Sequence, residues 1–422
     1  MRSARTSFPC PQPVPRRCLP TRPCAHLTRQ RPKQRVTLVG VIPPNHIKAT
    51  ESLAPLIRRH ADEAERIRHL PQPVAKAFAR HGLYRLAGTR DIHGADADPM
   101  TQIGVIEAAS RADGSAGWNL MIGIETFGLI GPGFKDRCPE LIADPMTIMA
   151  SSTAAVHTAQ RDGDGWRVSG QWQFASGIHN AQIFGATVRL YDGDELLDEG
   201  NRYAVVPEGQ FEIVDTWHVA GLRGSGSHDV RLDDVYVPDS RIIAPIGGNE
   251  ATTPQLRLPL GNRLAYNKAA VAIGIARAGI DAFVELATSK QPRFTTRTVR
   301  DRPFAQRAIA LAEARLTGAR AALMDLTAAS WETVLRGDDV SPQDRAMFHI
   351  IASDTARAAV ETVEILCEAA GTSANRIGEP LERISRDVRV VRQHATVAPH
   401  LMEDAGRTLL GLESESYVVR SR

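Results

Sequence analysis

The hydrophobic pattern divides the chain into three regions. In residues 46–143 the apolar positions recur close to every 3.6 residues, which predicts helices. The pattern breaks at Asp113–Gly114, a helix-stop and helix-start signal between two of the runs. We therefore expect an N-terminal helical domain over these residues.

Residues 144–250 alternate between apolar and polar positions, and turn signals separate the runs. The DGDG stretch at 162–165 predicts a hairpin turn, because Trp166 and Val168 alternate with polar neighbours directly after it. Two further pairs of strands follow. The sequence predicts a middle β-domain, a barrel or a sandwich.

Residues 251–415 return to long, Ala-rich helical runs. One run has Ser341 as its N-cap and Gly371 as its C-cap. Four helices of this length predict a C-terminal four-helix bundle, and their small residues permit packing between subunits. The predicted fold class is α+β.

Amino-acid composition sets the N-terminal residues apart from the rest of the chain. Residues 1–45 are rich in Pro and Arg without apolar periodicity, so we expect a disordered, non-structural extension. The first 50 residues hold ten of the 51 Lys and Arg and no Asp or Glu, which leaves 41 basic and 48 acidic residues, a net charge of −7. This acidic body and the 5% aromatic content argue against nucleic acid as a partner.

Cysteine usage and hydropathy argue against a disulfide-stabilised, a membrane-spanning or a zinc-binding protein. Only Cys138 and Cys367 lie in the body, too few for a disulfide framework, so a reducing cytoplasm is expected. The chain contains no apolar run of about 18 residues, so the sequence predicts no membrane-spanning helix. The leading cysteines match no common zinc spacing, and we expect no metal site; they are Cys10, Cys18 and Cys24.

The stretch GQWQFASGIHNA, residues 170–181, interrupts the strand pattern. Ser176 and Gly177 stand side by side where the apolar alternation ends. A bulge or a turn at a sheet rim explains this corner without any function.

Three motifs in order point further: GWRVSGQWQFASG, WHVAGLRGSGSHDVRLDDVYVP and AAGTSANRIGEPLERISRDVR. Together with the order of helices, strands and helices, they resemble the acyl-CoA dehydrogenase superfamily of flavoproteins from about residue 50 to 410. The resemblance implies an N-terminal helical domain, a middle β-barrel, a C-terminal four-helix bundle and a homotetramer.

The same resemblance implies a flavin site. Ser176 matches the residue that faces the flavin N5 edge, where a hydroxyl can donate or accept. Gly177 lets the backbone approach the ring, and Phe174 packs on it. The other residues implied to lie at the cofactor are Ser151, Ser152, Gly371 and Thr372.

An acyl-CoA dehydrogenase needs a carboxylate base, and both family positions lack one. Eight residues after Asp387 of the Arg-Asp pair stands Ala395, and the helix over 259–278 contains no Asp or Glu. His394 occupies the place instead. Its imidazole can serve as a base or a donor.

The chain therefore resembles the monooxygenase branch, the oxygenase components of two-component flavin hydroxylases. The resemblance implies reduced FMN or FAD supplied by a separate reductase, O2, a C4a-hydroperoxyflavin, and hydroxylation of a small aromatic or polycyclic substrate. Catalytic roles are implied for His394, Ser176 and Ser151, and a substrate pocket for Trp118, Met121 and His394.

Two more functions are compatible with the same residues. An acyl-CoA dehydrogenase with FAD would need an unrecognised base, for which Glu368 and Glu379 are candidates. A non-catalytic relative that only binds a ligand is the other possibility. Trp118 and Met121 at helical spacing are also typical of core residues, and the alternative for His394 is a histidine on a helix surface.

Overall fold

The computed structural model describes residues 44–245 and 253–420. The predicted disorder of residues 1–45 and the leading cysteines therefore fall almost entirely outside the described residues. The helices are α1 (Pro44–Ser52), α2 (Ala54–Ile67), α3 (Gln72–Arg80), α4 (Pro99–Ala112), α5 (Gly114–Arg137), α6 (Pro254–Arg257), α7 (Leu260–Ser289), α8 (Pro303–Leu335), α9 (Pro342–Ala370), α10 (Pro380–Arg392), α11 (His400–Leu409) and α12 (Tyr417–Arg420).

The helix boundaries follow the capping signals of the sequence. The predicted break at Asp113 is confirmed: α4 ends before it, and its carboxylate accepts a hydrogen bond from the N–H of Ala116 at the start of α5. Ser341 caps α9 by accepting from the N–H of Asp344, and Gly371 ends that helix, as expected.

The described residues between α5 and α6 form eight strands. They are β1 (Met149–Asp162), β2 (Gly165–Trp172), β3 (Ile183–Asp192), β4 (Glu195–Leu196), β5 (Arg202–Pro207), β6 (Glu212–Val214), β7 (Asp229–Pro238) and β8 (Ile242–Ile243). The predicted hairpin at 162–165 is confirmed, since β1 and β2 pair antiparallel from Asp162 opposite Gly165. These eight strands form one mixed sheet; among their described pairings β1 and β3 run parallel and the others antiparallel.

The expected closed barrel is wrong. The sheet is open, in the order β6-β7-β2-β1-β3-β5-β8 with β4 on the side of β3, and its described edge strands β6 and β8 do not pair with each other. The edges are three and two residues long, which leaves little ladder for closure. Alternation in a sequence marks the buried face of a strand and not its partner.

Two large apolar cores stabilise the described part of the fold, besides a small cluster around Leu258 and Val334. One contains residues of helices from both ends of the chain, among them Leu120 of α5, Ile275 of α7 and Val388 of α10. The other lies within the sheet around Trp166, Trp172 and other buried strand residues. Among the described residues, no helix combines the length and apolarity that crossing a membrane requires. The predicted domain boundaries at 143 and 250 stay predictions.

Candidate functional site

The FASG corner directly follows strand β2 and is built by backbone hydrogen bonds to a second loop. The N–H of Ala175 donates to His228 O at 2.9 Å, and the N–H of Gly177 donates to Ser225 O at 3.0 Å. Gly177 has φ of +80°, and a Cβ there would lie 3.0 Å from Nδ2 of Asn119. The corner therefore needs glycine both for its backbone conformation and for the approach of α5.

Ser176 lies in a buried chain of hydroxyl groups. Its Oγ is 2.6 Å from Oγ of Ser227, which is 2.8 Å from Oγ of Ser225. The indole N–H of Trp118 donates to the same Ser176 Oγ at 3.1 Å. When Ser225 donates to Ser227 and Ser227 to Ser176, the Ser176 hydroxyl keeps its own proton for a further acceptor.

Trp118 also connects this corner to His394. The two rings meet edge to face with centroids 5.5 Å apart. His394 lies two residues beyond the end of α10, not within a helix, and is partly exposed. The structure thus brings together three predicted site residues from distant parts of the chain: Trp118, Ser176 and His394.

Thr396 orients the imidazole of His394. Its backbone N–H donates to Nδ1 at 3.3 Å, and its Oγ lies 3.0 Å from the same nitrogen. A backbone N–H can only donate, so Nδ1 is an acceptor and the proton of the neutral ring is assigned to Nε2. His394 therefore presents an N–H donor at Nε2.

The charge state of His394 is set by burial and by Lys268 of α7. Burial and the positive charge of Lys268 hold the pKa of His394 well below its ordinary value of 6.5. The imidazole is consequently neutral at physiological pH. Of the two roles expected for this residue, a donor agrees better with the neutral ring and its tautomer than a base.

Sequence analysis missed Lys268 and its partner Glu125 as a buried pair. Lys268 Nζ on α7 binds Glu125 Oε2 on α5, and the side chains are 2% and 10% exposed. Asn267 donates to the other carboxylate oxygen at 3.1 Å. A lysine in the apolar run NKAAVAIGIA was the available signal, because a buried charge requires a partner.

Phe174 forms the exposed side of the corner. It is 57% exposed and has φ of +59°, a left-handed conformation that few non-glycine residues adopt. Its ring meets Trp217 edge to face, with centroids 6.2 Å apart. A strained, exposed aromatic residue beside a polar corner offers a stacking surface for a planar ligand.

The remaining predicted site residues lie in different surroundings. Ser151 Oγ is 3.1 Å from Oγ of Thr126 on α5, whereas Ser152 is buried and donates to the carbonyl of Gln173. Met121 is fully buried in the helical core. Gly371 and Thr372 lie exposed after α9, and the structure does not bring them into contact with Ser176 or His394 within this chain.

No described carboxylate offers a free base at this site. Glu368 is exposed on α9, and Glu379 directly precedes α10; neither bonds to Trp118, Ser176 or His394 in the described part of the chain. Glu125 is buried nearby, but both of its oxygens accept hydrogen bonds from α7. The geometry gives no support to a carboxylate that removes a substrate proton.

The chain is similar in sequence to known proteins. Residues 266–399 match the family described as acyl-CoA dehydrogenase, C-terminal domain. The chain is 32% identical to indole-3-acetate monooxygenase of Pseudomonas putida over 84% of this chain and 90% of that protein. It is 28% identical to the flavin-dependent monooxygenase oxygenase subunit HsaA of Rhodococcus jostii over 83% and 94%.

Solved structures show the same fold. The 3-HSA hydroxylase from Rhodococcus sp. RHA1 superimposes with a TM-score of 0.78 at 26% identity, covering 89% of this chain and 99% of that one. XiaF from Streptomyces sp., in complex with FADH2 and glycerol, superimposes with a TM-score of 0.81 at 22% identity, over 88% and 96%.

Proposed function

Because the chain belongs to the flavin-dependent monooxygenase branch of the acyl-CoA dehydrogenase superfamily, we propose that it hydroxylates a small aromatic substrate that binds beside Trp118 and His394. The observation that carries this proposal is the contact among three side chains: the indole of Trp118 bonds to Ser176 and packs against a neutral, partly exposed His394. Dehydrogenation of an acyl thioester is the weaker alternative, since none of the described carboxylates is free at this site.

The residues at the FASG corner fit a flavin. Asn119 Nδ2 is buried without a hydrogen-bond partner in the described structure and lies beside Gly177. An orphaned donor of this kind suits the carbonyl and nitrogen edge of an isoalloxazine ring. Ser176 and Gly177 would hold that edge, and Phe174 would lie against the ring face.

Reduced flavin, when bound, supplies the two electrons with which O2 is split, so that one oxygen atom enters the substrate and the other leaves as water. The chain's own residues orient the reactants and hold protons. Nε2–H of His394 donates a hydrogen bond to an oxygen atom of one of the reactants, O2 or the substrate. Ser176 holds its hydroxyl proton at the FASG corner. Trp118 keeps bulk water from the space between them.

We place the substrate among small aromatic and bicyclic compounds. The indole ring of Trp118 lies beside His394, and an aromatic ring at this place favours a flat substrate. A relative is named indole-3-acetate monooxygenase, which makes indole-3-acetate the first compound to test. Simple phenols are the second group.

The test supplies purified protein with reduced FMN or FAD from a separate reductase, oxygen-18 gas and each compound. The proposal expects a hydroxylated product that carries one labelled oxygen atom, with a demand for the reductase. Full conversion of O2 to hydrogen peroxide with every aromatic compound in the panel, despite flavin binding, would falsify it. Failure to bind either flavin would favour a non-catalytic relative.

Two properties of the whole protein complete the proposal. We infer a homotetramer, for which exposed apolar residues of α8, Phe304 and Leu311, offer a packing surface. We also place the protein in the cytoplasm, together with its reductase. Light scattering and cell fractionation test these two statements independently of the chemistry.

A further inference from the structure

Asp387, the acidic member of the Arg-Asp pair on α10, is almost fully buried. Its Oδ1 accepts a hydrogen bond of 2.6 Å from the backbone N–H of Leu222. Leu222 has φ of +51°, a left-handed backbone conformation that is strained for a non-glycine residue. The carboxyl group therefore stabilises a strained turn on a different part of the chain.

The backbone of this turn is pressed directly against α10. A Cβ on Gly221 would lie 2.4 Å from the carbonyl oxygen of Arg386, so only glycine fits there. The side chain of Arg386 also donates to the carbonyl of Ala220. Two consecutive residues of α10 thus hold three consecutive residues of the turn.

The same turn leads into the serines of the FASG corner. Ser225 accepts the N–H of Gly177 through its carbonyl, and Ser227 bonds to Ser176 through its hydroxyl. A shift of the turn at Leu222 would move both contacts, because only three to five residues separate them from it. Asp387 therefore acts on the position of Ser176 without contacting it.

The second carboxylate oxygen of Asp387 faces the beginning of α5. A Cβ on Gly114 would lie 3.1 Å from Oδ2, and Asp113 caps this helix. Trp118 follows about one helical turn later. Asp387 also precedes His394 by seven residues in the same terminal segment.

We propose that Asp387 is a positioning residue that fixes the relative placement of the segments carrying Trp118, Ser227 and His394. This inference rests on the proposed function, because its consequence is the geometry of that site. It assigns a role to the Arg-Asp pair, which the chemistry of the site does not otherwise use.

The charges around Asp387 imply that the junction between α10, the turn at Leu222 and the start of α5 depends on pH. Burial and the negative charge of Asp113 raise the pKa of Asp387 to about 8, and Glu65 of α2 acts in the same direction. Arg386 opposes the shift from α10, and Arg383 faces Asp113. Asp387 is therefore protonated at neutral pH, and its ionisation above about pH 8 places two negative charges together at the junction.

Two substitutions separate the contribution of the acceptor oxygen of Asp387 from that of its negative charge. Asp387→Asn keeps a neutral group with an acceptor oxygen for Leu222, whereas Asp387→Ala removes the acceptor. We expect Asp387→Ala to lower product formed per flavin oxidised by about tenfold or more, and Asp387→Asn to stay within about threefold of the wild type at neutral pH. Above about pH 8 the wild type should lose product yield and Asp387→Asn should not.

Hydrogen exchange of peptides covering 112–122 and 218–228, measured without flavin, provides a second readout. Exchange should accelerate in both peptides in Asp387→Ala and stay at the wild-type rate in Asp387→Asn. Unchanged exchange and yield in a folded Asp387→Ala protein would overturn the inference. If Asp387→Ala does not fold, an alkaline loss of yield in Asp387→Asn equal to that of the wild type overturns it.

The two proposals fail separately. If exchange responds as expected but the wild type hydroxylates no aromatic compound, the proposed function is wrong, and Asp387 still positions these segments. If labelled product forms and neither exchange nor the pH profile responds to the substitutions, the role of Asp387 is wrong alone.

Discussion

The indole N–H of Trp118 donates to Oγ of Ser176 across 58 residues of sequence, at 3.1 Å. The bond ties α5 to the FASG corner, and the same indole ring reaches His394. One side chain therefore sets the distance between the residue that faces the flavin and the residue that faces the substrate in the proposed site.

Trp118→Phe keeps an aromatic ring beside His394 but removes the donor to Ser176. We expect affinity for reduced flavin to fall by about tenfold, because the Ser176 hydroxyl loses a partner that fixes its orientation. Anaerobic fluorescence titration measures this change. Trp331→Phe, in a separate apolar cluster with Leu258 and Val334, is the matched control and should bind flavin like the wild type.

Gly177→Ala should impair flavin binding more than its backbone strain alone explains. The new Cβ would lie 3.0 Å from Nδ2 of Asn119, at positive φ. Gly193→Ala is the control, because Gly193 also has positive φ (+58°) but no atom within 4 Å of a Cβ. Both variants should lose about 1 kcal/mol of stability in thermal unfolding from the positive φ alone, and Gly177→Ala should lose more because its Cβ presses on Asn119. Equal flavin affinity in the two variants would remove Gly177 from the proposed binding surface.

Lys268→Met should shift the acidic limb of the activity profile to higher pH. The positive charge of Lys268 lowers the pKa of His394, so removal of that charge lets the imidazole take up a proton at higher pH and cease to be neutral. The pH dependence of product yield measures the shift. Breaking one half of a buried pair is destabilising by about 3–5 kcal/mol, so the measurement includes the uncharged double variant Glu125→Gln/Lys268→Met.

That double variant removes the opposing charges together. It should shift the acidic limb less than Lys268→Met, because no unpaired carboxylate is left beside the imidazole. Identical acidic limbs in the wild type and both variants would show that Lys268 has no influence on the ionisation that controls activity.

The protein should lose stability in mild acid through His349. This residue of α9 is fully buried, and burial lowers its pKa to about 4 from an ordinary 6.5. Between these two values the unfolded chain binds a proton that the folded chain does not, so stability falls as pH decreases through that window. The loss from pH 7 to pH 5 should be about 2 kcal/mol for this residue.

His349→Gln cannot take up that proton. Chemical denaturation at both pH values should therefore give a smaller acid-induced loss for the variant than for the wild type. A loss of the same size in both proteins would assign the acid sensitivity to other groups, such as His179, whose pKa is also lowered to about 4.

The sequence predicted the local elements well and the long-range contacts less so. Caps at Asp113, Ser341 and Gly371 were visible because capping uses residues close together in the chain. The open sheet was not visible, because alternation marks the buried face of a strand and leaves its neighbours undefined.

The candidate site shows the same limit. Resemblance pointed to Ser176 and His394, but the indole between them joins residues 118, 176 and 394, and no local pattern encodes that contact. The Lys268–Glu125 pair was missed for a related reason: a lysine in an apolar run signals a buried charge but does not identify its partner, and only the packing of α5 on α7 shows that the partner is Glu125. The function of the site depends on these tertiary contacts.

One measurement tests the central claim most directly: a single turnover of the protein bound to reduced flavin, mixed with oxygen-18 gas and indole-3-acetate or a phenol. In the wild type most of the O2 should be used to form labelled hydroxylated product. His394→Ala should bind flavin normally, yet most of the O2 should be released as hydrogen peroxide. His400→Ala, at the exposed start of α11, should behave like the wild type. Equal product yields in the wild type and His394→Ala would contradict the claim that this imidazole takes part in oxygen transfer.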